Sequence, residues 1–284
     1  MTGTLINESN SDLFLPAVPS EELITSDLFI GVTDEETDTA CGVLAAAAIG
    51  DHTLAIRYIW VAEEYRGRGA GTELVLTFME AAEIMDAASA VCVHSRGNVS
   101  DGVAETLEKC GFVRDDEQTS PIYAVSISEL GEGVKGAGDK APAGIRICPL
   151  SKIDDKQWQV SGLNWRSSDG PAAGLKAFGR RRGSYDTELS FVALDKQEDI
   201  SGLLLGIRKG SEYELQTLSA MGEQTPRILL ALIAHALGKA AHVLGNEGRI
   251  IVSPVTSTSM KLFDQITGGA YIMVGETVLY TYTI

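Results

Sequence analysis

The sequence is poor in cysteine, and its four cysteines are not spaced as metal ligands. Cys41, Cys92, Cys110 and Cys148 are spread over 284 residues, and no two stand two to four positions apart as in zinc or redox motifs. Each lies in or beside an apolar segment, which is typical of free thiols in a protein core. The spacing therefore predicts buried thiols and no metal site.

The chain also lacks long apolar runs. Its longest ones, residues 41–49 and 228–234, are much shorter than the roughly 20 residues that a membrane-spanning helix needs. The first 20 residues are acidic and polar, without the basic start and apolar centre of a secretory leader. We therefore expect a cytoplasmic protein with no membrane partner.

Positive charge is scarce. Lys and Arg number 23 against 39 Asp and Glu, which gives a net charge of -16. Such a surface repels a phosphate backbone, so we expect no nucleic-acid partner. By the same electrostatic steering, the charge favours a cationic small molecule or peptide.

A segment with few large apolar residues divides the sequence near its middle. Residues 131–144 are rich in glycine and offer little to a hydrophobic core, which predicts a flexible linker. The expected organisation is therefore a domain over residues 1–130, the linker, and a second domain over residues 145–284.

The two halves show the same predicted order of elements. In the first half, alternating and helical periodicities predict strands over 28–33, 40–49 and 53–61, a helix over 71–86, a strand over 90–94, a helix over 101–109, and a hairpin-like pair around 112–114 and 122–126. In the second half they predict strands over 189–194, 200–207 and 213–218, a helix over 226–244, a strand over 249–253, a helix over 257–266, and final strands over 271–282.

This repetition indicates a tandem duplication. An offset of about 158 residues aligns Ser95 with Ser253 and Gly111 with Gly269, as expected for a repeated unit. Thr225 and Pro226 resemble an N-cap and first-turn proline at the start of the second long helix. Because proline lacks an N–H group, we expect this second copy not to cradle a phosphate.

A glycine-rich turn precedes the first long helix. It reads Arg66-Gly67-Arg68-Gly69-Ala70-Gly71. Glycines allow positive φ and close approach of the backbone, while a helix N-terminus offers unpaired N–H groups and the positive end of the helix dipole. The turn therefore predicts a pyrophosphate site. A dinucleotide-binding fold also places glycines before a helix, but it does so after a first parallel strand and with an acidic partner residue that this sequence lacks.

Two segments resemble signatures of the GNAT superfamily of N-acetyltransferases. Residues 59–71 are similar to its acetyl-CoA motif, and Glu108-Lys109-Cys110-Gly111-Phe112 is similar to its second signature. The resemblance implies an α+β fold of two tandem GNAT-like domains, each a mixed, largely antiparallel twisted sheet flanked by helices. It covers the first half in detail and the second half in element order only.

The resemblance also implies acetyl-CoA as acyl donor. The pantetheine would pair with the strand around Ile59, and the pyrophosphate would rest on N–H groups of the turn. The N–H of Val61 would stabilise the oxyanion. The donor-binding residues implied in this way are Ile59, Trp60, Val61, Arg66, Gly67, Arg68, Gly69, Ala70, Gly71, Thr72 and Asn98.

The sequence departs from the family pattern at both usual proton-transfer positions. Ala55 stands where many members carry a glutamate base, and Leu107 where many carry a tyrosine acid. His94, at the end of a strand near the expected cleft, and Tyr58 are the replacement candidates for catalysis.

Two functions remain open at this point. One is an N-acyltransferase acting on a small-molecule or peptide amine by direct attack; the other is a non-catalytic acyl-CoA-binding sensor or scaffold. The second half either forms one wall of the acceptor pocket or stabilises the first half. A homodimer is also compatible with the sequence.

Overall fold

The computed structural model describes residues 1–50, 52–97, 102–129, 141–245, 247–254 and 257–284. The chain forms two compact units, one of Met1–Pro121 with Gly275–Ile284 and one of Ile122–Val274. Residues 131–140 of the predicted linker lie outside the described residues. Among the described helices, none combines the length and apolar character needed to cross a lipid bilayer.

The first unit is a mixed sheet with helices. Strands β2, β3 and β4 form the predicted antiparallel meander, β1 adds to its outer edge, and β5 pairs with β4 in parallel. The bounds are β1 (Thr2–Leu5), α1 (Ser11–Phe14), α2 (Ser20–Thr25), β2 (Leu28–Asp34), β3 (Thr39–Ala48), β4 (Thr53–Val61), α3 (Ala70–Ile84), β5 (Ser89–Gly97), α4 (Val103–Lys109) and β6 (Val113–Ser126).

Helix α3 covers one face of this sheet because its apolar residues recur at three- and four-residue spacing. Leu74, Val75 and Phe78 are fully buried and belong to a core cluster that also contains Leu44 of β3 and Leu107 of α4. The glycine-rich turn is thereby anchored at the start of a helix whose position is set by the core.

The chain's last strand belongs to the first unit. The predicted final strands are a single strand, β12 (Ile272–Thr283), and its residues from Gly275 onward pair with β5 in antiparallel register. Val278 and Tyr280 are fully buried in the first unit's core. Periodicity shows which side of a strand is buried but not which sheet it joins, so this placement was not predictable.

The hairpin-like pair predicted around residues 112–126 is wrong. This segment is one strand, β6, whose residues from Ile122 onward belong to the second unit. There they pair in the register Tyr123↔Val252 to Ser126↔Arg249. The loss of apolar alternation at Asp115, Asp116 and Glu117 resembles a turn in sequence. The Asp115 carboxylate does accept hydrogen bonds from the N–H groups of Glu117 and Gln118, but the strand continues through this stretch.

The second unit repeats the architecture. Its strands lie in the order β6, β11, β10, β9, β8, β7, with β10 and β11 parallel as β4 and β5 are in the first unit. The bounds are β7 (Arg146–Pro149), α5 (Asp155–Ser167), α6 (Ala172–Phe178), β8 (Phe191–Leu194), β9 (Ile200–Lys209), β10 (Glu212–Ala220), α7 (Thr225–Val243), β11 (Arg249–Val252) and α8 (Ser257–Thr267).

An ion cluster fastens β12 within the first unit, and its stability should depend on pH. Arg114 donates two hydrogen bonds to the Glu276 carboxylate, at 2.9 and 3.0 Å, and Arg96 Nε donates another at 2.7 Å. The bonds from Arg114, aided by those from Arg96 and opposed by desolvation, hold the pKa of Glu276 below its ordinary value of 4.5.

Because the folded-state pKa is lowered, this stabilisation is present above the ordinary pKa and is lost as the pH falls through the lower, folded value. We expect the wild-type protein to exceed Glu276→Gln in unfolding midpoint at about pH 7, and the difference to shrink towards about pH 3. Thermal unfolding followed by circular dichroism at both pH values measures this. If the two proteins differed in unfolding midpoint by the same amount at both pH values, the stabilising role of the Glu276 carboxylate would be contradicted.

Candidate functional site

A gap opens between β4 and β5. Their parallel pairing runs from Thr53↔Ser89 to Ile56↔Cys92, and no pairing beyond that point is recorded among the described residues. In β4 the departure coincides with a β-bulge, because Ala46 pairs with Ile56 and Ala45 with Tyr58, so that Arg57 is the extra residue. A bulge bends its strand and ends regular pairing, which is how β4 separates from β5.

The backbone of β4 presents polar groups to this gap. The N–H of Ala62 donates to the carbonyl of Cys41 on β3 at 2.9 Å. Since backbone groups alternate in direction along a strand, the N–H and C=O groups of Ile59 and Val61 point away from β3. They therefore face the side where β5 no longer pairs, as expected for residues that would bind an extended pantetheine.

The glycine-rich turn has the conformation that only glycine adopts readily. Gly67 has φ +71° and Gly69 φ +97°, and a Cβ atom built on either meets nothing within 4 Å. A side chain would have room at either position, so the positive φ, and not crowding, is what requires glycine here. That open space lies where a ligand would approach the first turn of α3.

Unpaired N–H groups line the turn. No hydrogen bond to another described residue is recorded for the N–H groups of Gly67, Gly69, Ala70, Gly71 and Thr72, whereas Glu73 N–H donates to the Gly69 carbonyl. The first N–H groups of a helix have no partner inside it, and together with the helix dipole they attract an anion. Five such groups within six residues form a site suited to a diphosphate.

Two arginines add positive charge beside these amides. Arg66 and Arg68 are both exposed, and Arg66 Nε donates to the Val61 carbonyl at 3.1 Å. This bond ties the guanidinium of Arg66 to the end of β4, next to the gap. A fixed local cation is needed here because the protein's net charge of -16 opposes the approach of an anion.

His94 lies beside the gap. It is two residues beyond Cys92, the last residue of β5 that pairs with β4, and opposite Val278 of β12. Its half-buried side chain is on the same side of β5 as those of Ala90 and Cys92, because side chains alternate along a strand. The histidine therefore lies beside the gap, and its catalytic role stays a prediction.

Tyr58 has a different environment. Its hydroxyl donates to the Ala17 carbonyl at 3.1 Å, and its ring packs on a cluster that contains Phe14, Val18 and Val43. Burial raises the pKa of its phenol. The hydroxyl could take part in proton transfer only after leaving this carbonyl, so the structure gives Tyr58 a clear packing function and leaves its catalytic role a prediction.

The two usual proton-transfer positions are apolar and buried. Ala55 pairs with Ala47 on β3 and Val91 on β5, and Leu107 is fully buried in the core. Neither can exchange a proton. Asn98, expected to bind the pantetheine, lies outside the described residues, and Trp60 packs against the same cluster as Tyr58.

A carboxylate that no sequence motif indicates lies beside the bulge. Glu22 of α2 pairs with Arg57, Oε2 to Nε, at 3.7 Å, and Thr25 donates to the same oxygen at 3.4 Å. The Glu22 side chain is 18% exposed. No spacing pattern could have connected residues so far apart in sequence.

The corresponding helix start in the second unit is different. Thr225 N–H donates to the Gly222 carbonyl, and the N–H groups of Arg227 and Ile228 both donate to that of Gln224. Pro226 has no N–H at all. The predicted Thr225 N-cap is wrong, because Gln224 is the N-cap residue and the Thr225 hydroxyl donates to the Gly222 carbonyl. These N–H groups are already occupied, so the second unit lacks a matching phosphate site in its described part.

Comparisons with known proteins agree with this geometry. Residues 7–112 match the model of the acetyltransferase (GNAT) family. The chain is similar in fold to a tandem GNAT protein from the clavulanic acid biosynthesis pathway, with a TM-score of 0.65 and 13% identity over 99% of this chain and 98% of that one. No curated protein sequence matches the chain.

Two further solved structures are similar over 99% of this chain. A GCN5-related N-acetyltransferase from Sphaerobacter thermophilus has a TM-score of 0.50 and 16% identity, with 95% of its own chain covered. Another, from Anabaena variabilis ATCC 29413, has a TM-score of 0.57 and 12% identity, with 72% covered. At such identities these structures show the fold alone.

The predicted α+β tandem fold is thus confirmed, and the family match supports acyl transfer in general as the activity of the first unit. The match ends at Phe112, within the first unit, and includes the gap and the glycine-rich turn. The chain has a tandem GNAT fold, and residues 7–112 of its first unit match the acetyltransferase (GNAT) family model.

Proposed function

We propose that the first unit transfers an acyl group, acetyl in the simplest case, from acyl-CoA to a primary amine. The observation that carries this proposal is the set of five unpaired N–H groups, those of Gly67, Gly69, Ala70, Gly71 and Thr72, beside a gap between two parallel strands. A diphosphate fits the first feature and an extended amide chain the second. Coenzyme A contains both, in that order.

Direct attack suits this site. The neutral amine nitrogen attacks the thioester carbonyl carbon, the tetrahedral intermediate places its negative charge on oxygen, and the C–S bond then breaks to release the thiolate of CoA. The N–H of Val61, which faces the gap, would donate to the oxyanion. Alignment of the two reactants and this hydrogen bond each contribute several kcal/mol in enzymes of this kind.

The proton lost by the amine needs an acceptor. His94 is the first candidate, because a histidine side chain is a common general base and the residue lies beside the gap. Glu22 is a second candidate, since its carboxylate reaches the bulge that ends the pairing of β4 with β5. We propose a small-molecule or peptide amine as acceptor, favoured by the protein's negative charge.

A second candidate function is a non-catalytic acyl-CoA-binding module. The observation that favours it is the pair of apolar, buried residues, Ala55 and Leu107, at the two usual proton-transfer positions. Such a module would keep the donor site and release no free CoA.

A thiol-release assay with acetyl-CoA and a panel of amines separates the two functions. We expect release with at least one amine, and a loss of kcat of about 100-fold in His94→Ala without a change in CoA affinity, since general bases contribute about 10²–10⁴-fold. The matched control is His52→Ala, a histidine whose Nδ1 bonds the Asp86 carbonyl at the other end of β4. Acyl-CoA binding without turnover by any amine would favour the module.

A further inference from the structure

The second unit contains an apolar cavity of about 250 Å³ in its core. It lies between strands β10 and β11 and helices α7 and α8, on the side of the sheet that these helices cover. Its described lining residues include Tyr213, Thr217, Ile233, Ala236, Ile250 and Phe263.

The size of this cavity is unusual for a protein core and suits a small guest. Cores contain few voids larger than a water molecule, because the lining atoms of a void lose their dispersion contacts. An apolar cavity of about 150 Å³ binds benzene, so by proportion this one has room for about ten carbon atoms. Leu215, Leu237 and Leu262 line it and are only half-buried, so the cavity reaches the surface.

One polar group in the cavity lacks a partner. Thr217 is 8% exposed and follows the bulge in β10, where Leu215 pairs with Gly206 and Thr217 with Leu205. Within the described part of the chain, no hydrogen bond is recorded for its hydroxyl. Because Ser26 Oγ is the one buried side-chain polar atom recorded without a partner in the described part of the chain, the Thr217 hydroxyl is open to the cavity, where it can bond to water or to a ligand oxygen.

A charged ligand is disfavoured in this cavity. None of the described lining residues is acidic, basic or a histidine, and an ion without a partner is expensive to bury. Coenzyme A itself is disfavoured because the N–H groups at the start of α7 are already bonded to Gly222 and Gln224.

We infer that this cavity binds an uncharged, mainly apolar molecule of about ten non-hydrogen atoms with a single hydrogen-bonding oxygen, which pairs with the Thr217 hydroxyl. The inference concerns the second unit and does not depend on acyl transfer by the first.

Calorimetric titration of the full-length protein with 1-octanol tests it directly. We expect saturable binding with one site per chain, and binding of octanoate at least about tenfold weaker, because its carboxylate would be buried without a partner. The absence of saturable 1-octanol binding would overturn the inference.

Variants locate the site. Ala236→Leu fills the cavity from α7 and should abolish 1-octanol binding while raising the unfolding midpoint of the free protein. Ala234→Leu, on the same helix but outside the lining, should bind as the wild type does. Ile233→Phe is the second filling variant should Ala236→Leu fail to fold. Equal binding by the filled and control variants would overturn the location.

The Thr217 hydroxyl has its own test. Thr217→Val keeps the shape and removes the hydroxyl, so we expect 1-octanol affinity to fall about fivefold while the unfolding midpoint of the free protein stays close to that of the wild type. Unchanged affinity would overturn the assigned hydrogen bond.

Discussion

Replacing Gly69 with glutamate should reduce the affinity for coenzyme A by at least about 100-fold. Gly69 has φ +97°, a conformation that costs other residues about 1–2 kcal/mol. Relief of that strain would turn the first N–H groups of α3 away from their common direction. The new carboxylate would also lie beside the diphosphate and repel it. Calorimetric titration with CoA measures the loss.

A matched glycine in the second unit controls for strain and charge. Gly222 has φ +87° and open space around it, and it lies two residues before Gln224, the N-cap residue of α7. The N–H groups of Thr225, Arg227 and Ile228 that follow it are already bonded, so Gly222→Glu should bind CoA as tightly as the wild type. Equal losses in the two variants would contradict the assignment of the donor site to the first unit.

Removing residues 275–284 should unfold the first unit. These residues supply Val278 and Tyr280 to its core, both with no exposed surface, and they pair with nine residues of β5 from Ser89 to Gly97. Burial of each such side chain contributes about 1.5–3 kcal/mol, against about 5–15 kcal/mol for a whole domain. The loss of the strand's hydrogen bonds adds to this deficit.

Hydrogen exchange measured by mass spectrometry can follow the two units separately. In the truncated protein, peptides from β4 and β5 should exchange rapidly, whereas peptides from β9 and β10 should stay protected. Val278→Ala should speed up exchange in the same β4 and β5 peptides, but by a smaller amount. Ile272→Ala, on the same strand but 62% exposed, should change little. Normal protection of β5 after truncation would contradict the strand assignment.

The fold of each unit was largely predictable because short-range signals determine it. The meander of β2, β3 and β4, helix α3 and the parallel strand β5 follow from alternation, helical spacing and turn residues. The membership of β12 in the first unit was not predictable, since it depends on which of two similar sheets gains more from burying Val278 and Tyr280. The sequence carries no local signal for that comparison.

The candidate site was also predictable only in part. The turn from Gly67 to Thr72 is contiguous, so its glycines indicate both its backbone conformation and its ligand. The ion pair of Glu22 with Arg57 joins α2 to β4 and depends on tertiary packing. The cavity in the second unit is likewise invisible in the sequence, because most residues that line it are apolar and no local pattern shows that they enclose a space.

The most direct test of the account compares CoA with pantetheine, which lacks the diphosphate, by calorimetric titration of the wild-type chain. The proposed donor site predicts one CoA site per chain and binding of pantetheine at least about 100-fold weaker, because the unpaired N–H groups of Gly67, Gly69, Ala70, Gly71 and Thr72 would have no anion to bind. Equal affinities, or no heat on addition of CoA, would contradict it.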